Sequence, residues 1–168
     1  MAKQGLTHFD PAGRGRMVDV TAKRNTTRVA IARGVVRVSP ETFRRIQDRR
    51  IEKGDVLGVA QVAGILAAKK TADLIPMCHP LSLTGVEMGF TLHEEGCRIE
   101  IEARVKTVGP TGVEMEALCA VMGAGLTIYD MCKAIDRGIT LSEVRLVYKH
   151  GGKSGEFRAP EFRDSVDF

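Results

Sequence analysis

Tryptophan is absent from this 168-residue chain, and aromatic residues make up only 5% of it. A sheet surface that reads RNA by stacking bases on aromatic side chains has little to be built from. The four cysteines, Cys78, Cys97, Cys119 and Cys132, form no Cys-x-x-Cys pair. No histidine stands at zinc-ligand spacing from two of them, which argues against a structural metal site. A disulfide framework does not suit a chain of this size and composition, and Cys119 and Cys132 read as small buried hydrophobes. No apolar run approaches the length of a membrane span. The opening residues MAKQGLTHFDPAGRGR lack the apolar segment of a secretory signal, so a cytoplasmic location is expected.

The composition that remains is that of an ordinary soluble domain, 43% hydrophobic and 27% charged, with a net charge of +4 that suits an anionic partner. The most informative stretch is the helix expected over residues 113–135, apolar almost all round and therefore expected to be buried on most sides. It nevertheless carries Glu116, Asp130 and Lys133. At about 100° per residue these flank a stripe of small residues, Cys119, Gly123, Thr127 and Ala134. Charges beside such a stripe need partners or line a pocket. Asp130 and Lys133 could also form a simple ion pair one turn apart.

The rest of the chain orders itself around that helix. Residues 1–16 form a polar arm, 17–157 one domain and 158–168 a charged tail. Alternating apolar positions predict a strand over 28–38. Ser39-Pro40 then caps and opens a helix with Phe43 and Ile46 inward. A second helix is expected from about Asp55 to Asp73, with Val56, Val59, Val62, Ala63 and Leu66 inward. Residues 83–92 and 97–107 alternate around Glu94-Glu95-Gly96 as a hairpin. Thr111-Gly112-Val113-Glu114 reads as a capping box for the long helix, with Glu114 as its reciprocal half. A last strand covers 142–149. This β-α-β-β-α-β order is an α+β, ferredoxin-like plan, an antiparallel sheet with helices on one face.

Candidate chemistry lies in four places. The loop Leu74 to Leu81 holds Met77, Cys78 and His79 between two prolines, which fix the backbone. Lys53 sits at a helix break in Glu52-Lys53-Gly54-Asp55. Lys69 and Lys70 end the second helix, where they also complement its dipole. Lys149-His150-Gly151-Gly152-Lys153-Ser154-Gly155 invites a phosphate-loop reading, but Val147 stands where that motif needs its first glycine. Glycine amides and two lysines could still cradle phosphate oxygens. Glu116 and Asp130 are fourteen residues apart, roughly 21 Å along a helix. One small pocket in one subunit cannot easily use both, so a homo-oligomer with interface sites is expected. The competing reading, a basic ferredoxin-like RNA-binding module, meets a strand from Arg98 to Val105 without an aromatic and with Glu100 and Glu102.

Met17-Val18-Asp19-Val20, Lys53-Gly54-Asp55-Val56, Leu74 to Leu81, Thr111 to Leu118, Thr127 to Ala134 and Gly151 to Gly155 occur in that order. Together they resemble the cyclic pyranopterin monophosphate synthase (MoaC) family of molybdenum cofactor biosynthesis, from about Leu6 to Phe157. The resemblance implies conversion of a 3′,8-cyclised dihydro-GTP to cyclic pyranopterin monophosphate and diphosphate. It implies a ferredoxin-like fold and a homohexamer, a trimer of dimers, with the active site between subunits. It assigns catalysis to Asp130, Lys53, His79 and Lys133. Substrate contacts fall to Met77, Cys78, His79, Met115 and Glu116, with Lys69 and Lys149 on the triphosphate. The chain departs from the family at His150, where serine is usual. No redox cofactor is needed, no protein-held metal is expected, and Mg²⁺ can accompany the triphosphate.

Overall fold

The computed structural model describes residues 12–52 and 54–162. The chain runs β1 (Thr26–Arg37), α1 (Pro40–Gln47), α2 (Val56–Lys69), α3 (Thr71–Leu74), β2 (Leu83–His93), β3 (Arg98–Gly109), α4 (Glu114–Cys132), β4 (Thr140–His150) and β5 (Phe157–Arg158). The strands form one sheet in the order β2-β3-β1-β4-β5, with every neighbouring pair antiparallel. The first four strands give the ferredoxin-like arrangement the sequence predicts. Alternation sends Ala30, Ala32 and Val36 of β1, and Ile99, Ile101, Ala103 and Val105 of β3, into the core beneath the helices. On the opposite face Ile31 and Val147 form a smaller cluster with Ala159 and Phe162, which β5 folds back over the sheet.

The short helix α1 starts as expected, with Ser39 Oγ accepting from the Thr42 amide at 3.3 Å. Helix α2 is oriented differently from expectation. Val56, Ala60, Gly64 and Ala68 are buried, whereas Val59, Val62 and Leu66 are 46%, 66% and 56% exposed. A helix apolar on every side gives periodicity nothing to choose between, and closeness of approach decides instead. A Cβ on Gly64 would lie 3.0 Å from the Ala120 carbonyl oxygen, and one on Gly123 would lie 2.5 Å from the Ala67 Cβ. The small residues therefore form the contact between α2 and α4, and the larger ones are turned outward.

Two further expectations fail on α4. Its N-cap is Val113, and no side chain caps it, so Thr111 and Glu114 form no capping box. Glu114 instead accepts from Lys149 Nζ at 3.1 Å. In addition, α4 itself has the length and apolar composition of a membrane span. It escapes that reading because half of it is buried against the sheet and α2, although Met122 and Leu126 remain exposed on its outer face.

Register fixes the two ends of the molecule. Thr26 pairs with Gly109, Val29 with His150 and Leu83 with Thr107. The starts of β1 and β2 and the finishes of β3 and β4 thus share one end, and so does the start of α4. The finish of β1 and the starts of β3 and β4 share the other, where Arg37 pairs with both Arg98 and Thr140. The finish of α4 is there too, since the Ser39 amide donates to Asp136 Oδ2 at 2.7 Å.

Candidate active site

Three chain segments converge at the first end because the strands they lead into or leave are neighbours. The segment before β1 brings Val18 to Lys23, the loop before β2 brings Met77 to Leu81, and the turn after β3 brings Thr111 to Glu116. They enclose a cleft of about 370 Å³ lined by Lys23, Met77, Cys78, His79, Glu114, Met115 and Glu116, among others. A shallower depression of about 510 Å³ continues from it past His79 to Asp19, Thr21 and Asn25.

His79 is the hinge between the two. Its Nε2 lies 2.7 Å from the Val18 carbonyl oxygen. A carbonyl only accepts, so Nε2 carries a proton and the neutral ring keeps Nδ1 as its acceptor. Asp19 stands nearby, its Oδ1 accepting from the Thr21 amide at 2.8 Å and the Thr21 hydroxyl at 2.6 Å. Those bonds, with a smaller contribution from His79, hold its carboxyl below the ordinary aspartate value.

Glu116 is 4% exposed. Burial pushes its carboxyl up, against a lowering by its own backbone amide, and Glu114 adds a like charge. Burial likewise raises the Cys78 thiol, with Glu116 and Cys119 adding to the effect. A thiol held neutral in this way is a contact surface rather than a nucleophile. Met77 is covered by the residues ahead of β1, since a Cβ on Gly15 would lie 2.8 Å from its terminal methyl.

The expected site residues fall into two groups. Met77, Cys78, His79, Met115 and Glu116 share the cleft. Lys149 reaches its rim through Glu114, and Lys69 closes α2 at the same end of the sheet. Asp130 and Lys133 lie at the far end of α4, exposed, with Lys133 Nζ 2.6 Å from Asp130 Oδ1. That bond holds the Lys133 ammonium above its usual value. Lys53 lies outside the described residues. Sequence reasoning gave no role to Asp19 or Lys23, and it placed Glu114 in a cap. The signal for Asp19 was there, in an Asp-x-Thr turn just ahead of a strand.

The chain matches the MoaC family model over residues 17–152. The chain belongs to the MoaC family. Its relatives include the cyclic pyranopterin monophosphate synthases of Heliobacterium modesticaldum and Desulfitobacterium hafniense. Each is 62% identical over 152 residues, covering 90% of this chain and 96% and 93% of the relative. The synthase of Pelotomaculum thermopropionicum is 59% identical over 153 residues, 91% of this chain and 90% of its own length. The cleft and the far-end pair both lie within the residues matched to MoaC.

Proposed function

We propose that this chain converts (8S)-3′,8-cyclo-7,8-dihydroguanosine 5′-triphosphate to cyclic pyranopterin monophosphate, releasing diphosphate, as a lyase of molybdenum cofactor biosynthesis. The observation that carries this is identity near 60%, over nine-tenths of the chain, with relatives that bear the synthase name. The purified chain incubated with that triphosphate should yield the cyclic monophosphate and diphosphate. A chain that consumes none of it would overturn the reading.

The residue types suit the chemistry. The purine must open its five-membered ring and be rebuilt as a pterin, which takes several proton transfers. His79 offers Nδ1, and Glu116 is a carboxyl whose proton is held more tightly than usual. A substrate hydroxyl then attacks the α-phosphorus and gives up its proton, while the bond to the β-phosphate breaks and diphosphate leaves. Lys69 and Lys149 hold the charged triphosphate chain in place for this step. Met77, Cys78 and Met115 supply the contact surface for the ring system. Mg²⁺ belongs on the substrate's phosphates in this scheme, and no redox cofactor takes part.

The completed site lies between copies of the chain, in a cytoplasmic homohexamer built as a trimer of dimers. Two observations support this. Asp130 and Lys133 stand at the opposite end of the fold from the cleft, so a second copy would have to bring them to it. The outer stripe of Val59, Val62 and Leu66 on α2, beside Met122 and Leu126 on α4, is the apolar surface an assembly would cover. Asp130→Asn, Lys133→Ala, Lys53→Ala and His79→Ala should each leave a folded oligomer whose single-turnover rate falls roughly 10²–10⁴-fold. Near-normal rates for Asp130→Asn and Lys133→Ala would reduce that pair to a surface ion pair.

A further inference from the structure

The geometry points to Glu114 as a positioning residue of this site: it fixes the ammonium of Lys149 at the rim of the cleft, so that a phosphate oxygen meets a donor already in place. The inference rests on the proposed function for the identity of the phosphate but not for the contact itself.

Glu114 is the first residue of α4 and caps nothing. Its side chain folds back over Gly112, and a Cβ on Gly112 would collide with the Glu114 Oε2 atom. Only a residue without a side chain at 112 leaves room for the carboxylate to turn toward β4. There Lys149 Nζ donates to Glu114 Oε1 at 3.1 Å and to Ser154 Oγ at 2.8 Å. Lys149 and Glu114 are largely shielded, with side-chain exposures of 24% and 30%.

An ammonium has three N–H donors and no acceptor. Two are engaged here, and the third has no partner among the described residues. A lysine with a free four-carbon stem loses rotamer freedom when it grips a phosphate. In this chain the empty protein has already lost that freedom, which preserves affinity on binding. Glu114 lines the cleft that receives the anion, and its pairing with Lys149 also offsets the repulsion its own charge would exert.

The test is calorimetric titration of the intact oligomer with inorganic tripolyphosphate, with thermal melting of each variant to confirm folding. Lys149→Ala should weaken binding. Glu114→Ala should weaken it about tenfold, and Glu114→Gln by less, because the amide oxygen still accepts. Gly112→Ala should reproduce the Glu114→Ala loss while leaving both charges in the chain. In a Lys149→Ala background Glu114→Ala should bring no further loss, because it then removes only the repulsion of an unpaired carboxylate. With the nucleotide substrate, KM should rise with little change in kcat, as for a contact made equally in ground and transition states.

Tighter tripolyphosphate binding by Glu114→Ala would mean that Glu114 competes with phosphate, and would overturn the inference. So would an undiminished Glu114→Ala loss in the Lys149→Ala background, or no binding of tripolyphosphate by the native chain. The function is read separately, from product made by the native chain. Product formation with no Glu114–Lys149 coupling rejects the positioning role alone, and coupling without product rejects the function alone.

Discussion

Substituting alanine in turn at Gly155, Gly152 and Gly151 should produce a graded loss of stability. All three have positive φ, at +67°, +77° and +106°. An L-residue in a left-handed conformation costs about 1–2 kcal/mol. Gly155→Ala should lose only that, because a Cβ there meets nothing within 4 Å. At Gly152 the new Cβ would run into the guanidinium of Arg28. That group sits at the end of a flexible side chain and can move. In moving it gives up a bond from Nε to the Gly109 carbonyl at 3.3 Å and one from Nη2 to the Pro110 carbonyl at 3.1 Å. Their loss adds about 2 kcal/mol. At Gly151 the obstacle is the Thr27 carbonyl oxygen, which is β1 backbone. Relief there requires β1 and β4 to part near the Val29–His150 pairing, and the cost should exceed about 4 kcal/mol. For a chain of this size, each kcal/mol lowers Tm by about 2–4 °C. Thermal and denaturant unfolding of the three variants would show the gradient. Equal losses at Gly152 and Gly155 would mean that Arg28 is not packed against the glycine pair. The same conclusion would follow if Arg28→Ala failed to reduce the Gly152→Ala cost to that of Gly155→Ala.

Glu116→Gln should stabilise the protein in a pH-dependent way. The native state binds the Glu116 proton more tightly than the unfolded chain does, so the carboxyl's contribution is fully present below its ordinary value of 4.5 and is lost as pH rises through the elevated native value. The variant should melt with the native chain below about pH 4 and above it at neutral pH; a variant less stable at neutral pH would show that the carboxylate is held by compensating partners. The assembly should appear as a hexamer in light scattering, and Leu66→Asp with Leu126→Asp should dissociate it. An active monomer would refute the shared site.

Much of the fold was legible because it rests on short-range rules. The alternation of β2 and β3 around Glu94-Glu95-Gly96 and the Ser39-Pro40 helix start both required only local residues. The face of α2 was not legible. Every side of that helix is apolar, and the choice was made by how closely Gly64 and Gly123 let two helices approach. Glu114 was misread for a related reason. Its spacing from Thr111 matches a capping box, but its actual partner, Lys149, comes from a strand 35 residues away. The cleft residues could be named but not grouped. Their meeting at one end of the sheet depends on the register of β3 with β1 and β2, which no single segment encodes.

The separation of His79 and Glu116 from Asp130 and Lys133, at opposite ends of one fold, has a genetic consequence. If each site draws its two halves from different copies, as proposed, damage to one half would not spoil the other half of the same polypeptide. Two inactive alleles, one His79→Ala and one Asp130→Asn, should therefore complement each other when co-expressed. In a random equal mixture about one quarter of the sites would combine an intact cleft with an intact far end, whereas either allele alone would have none.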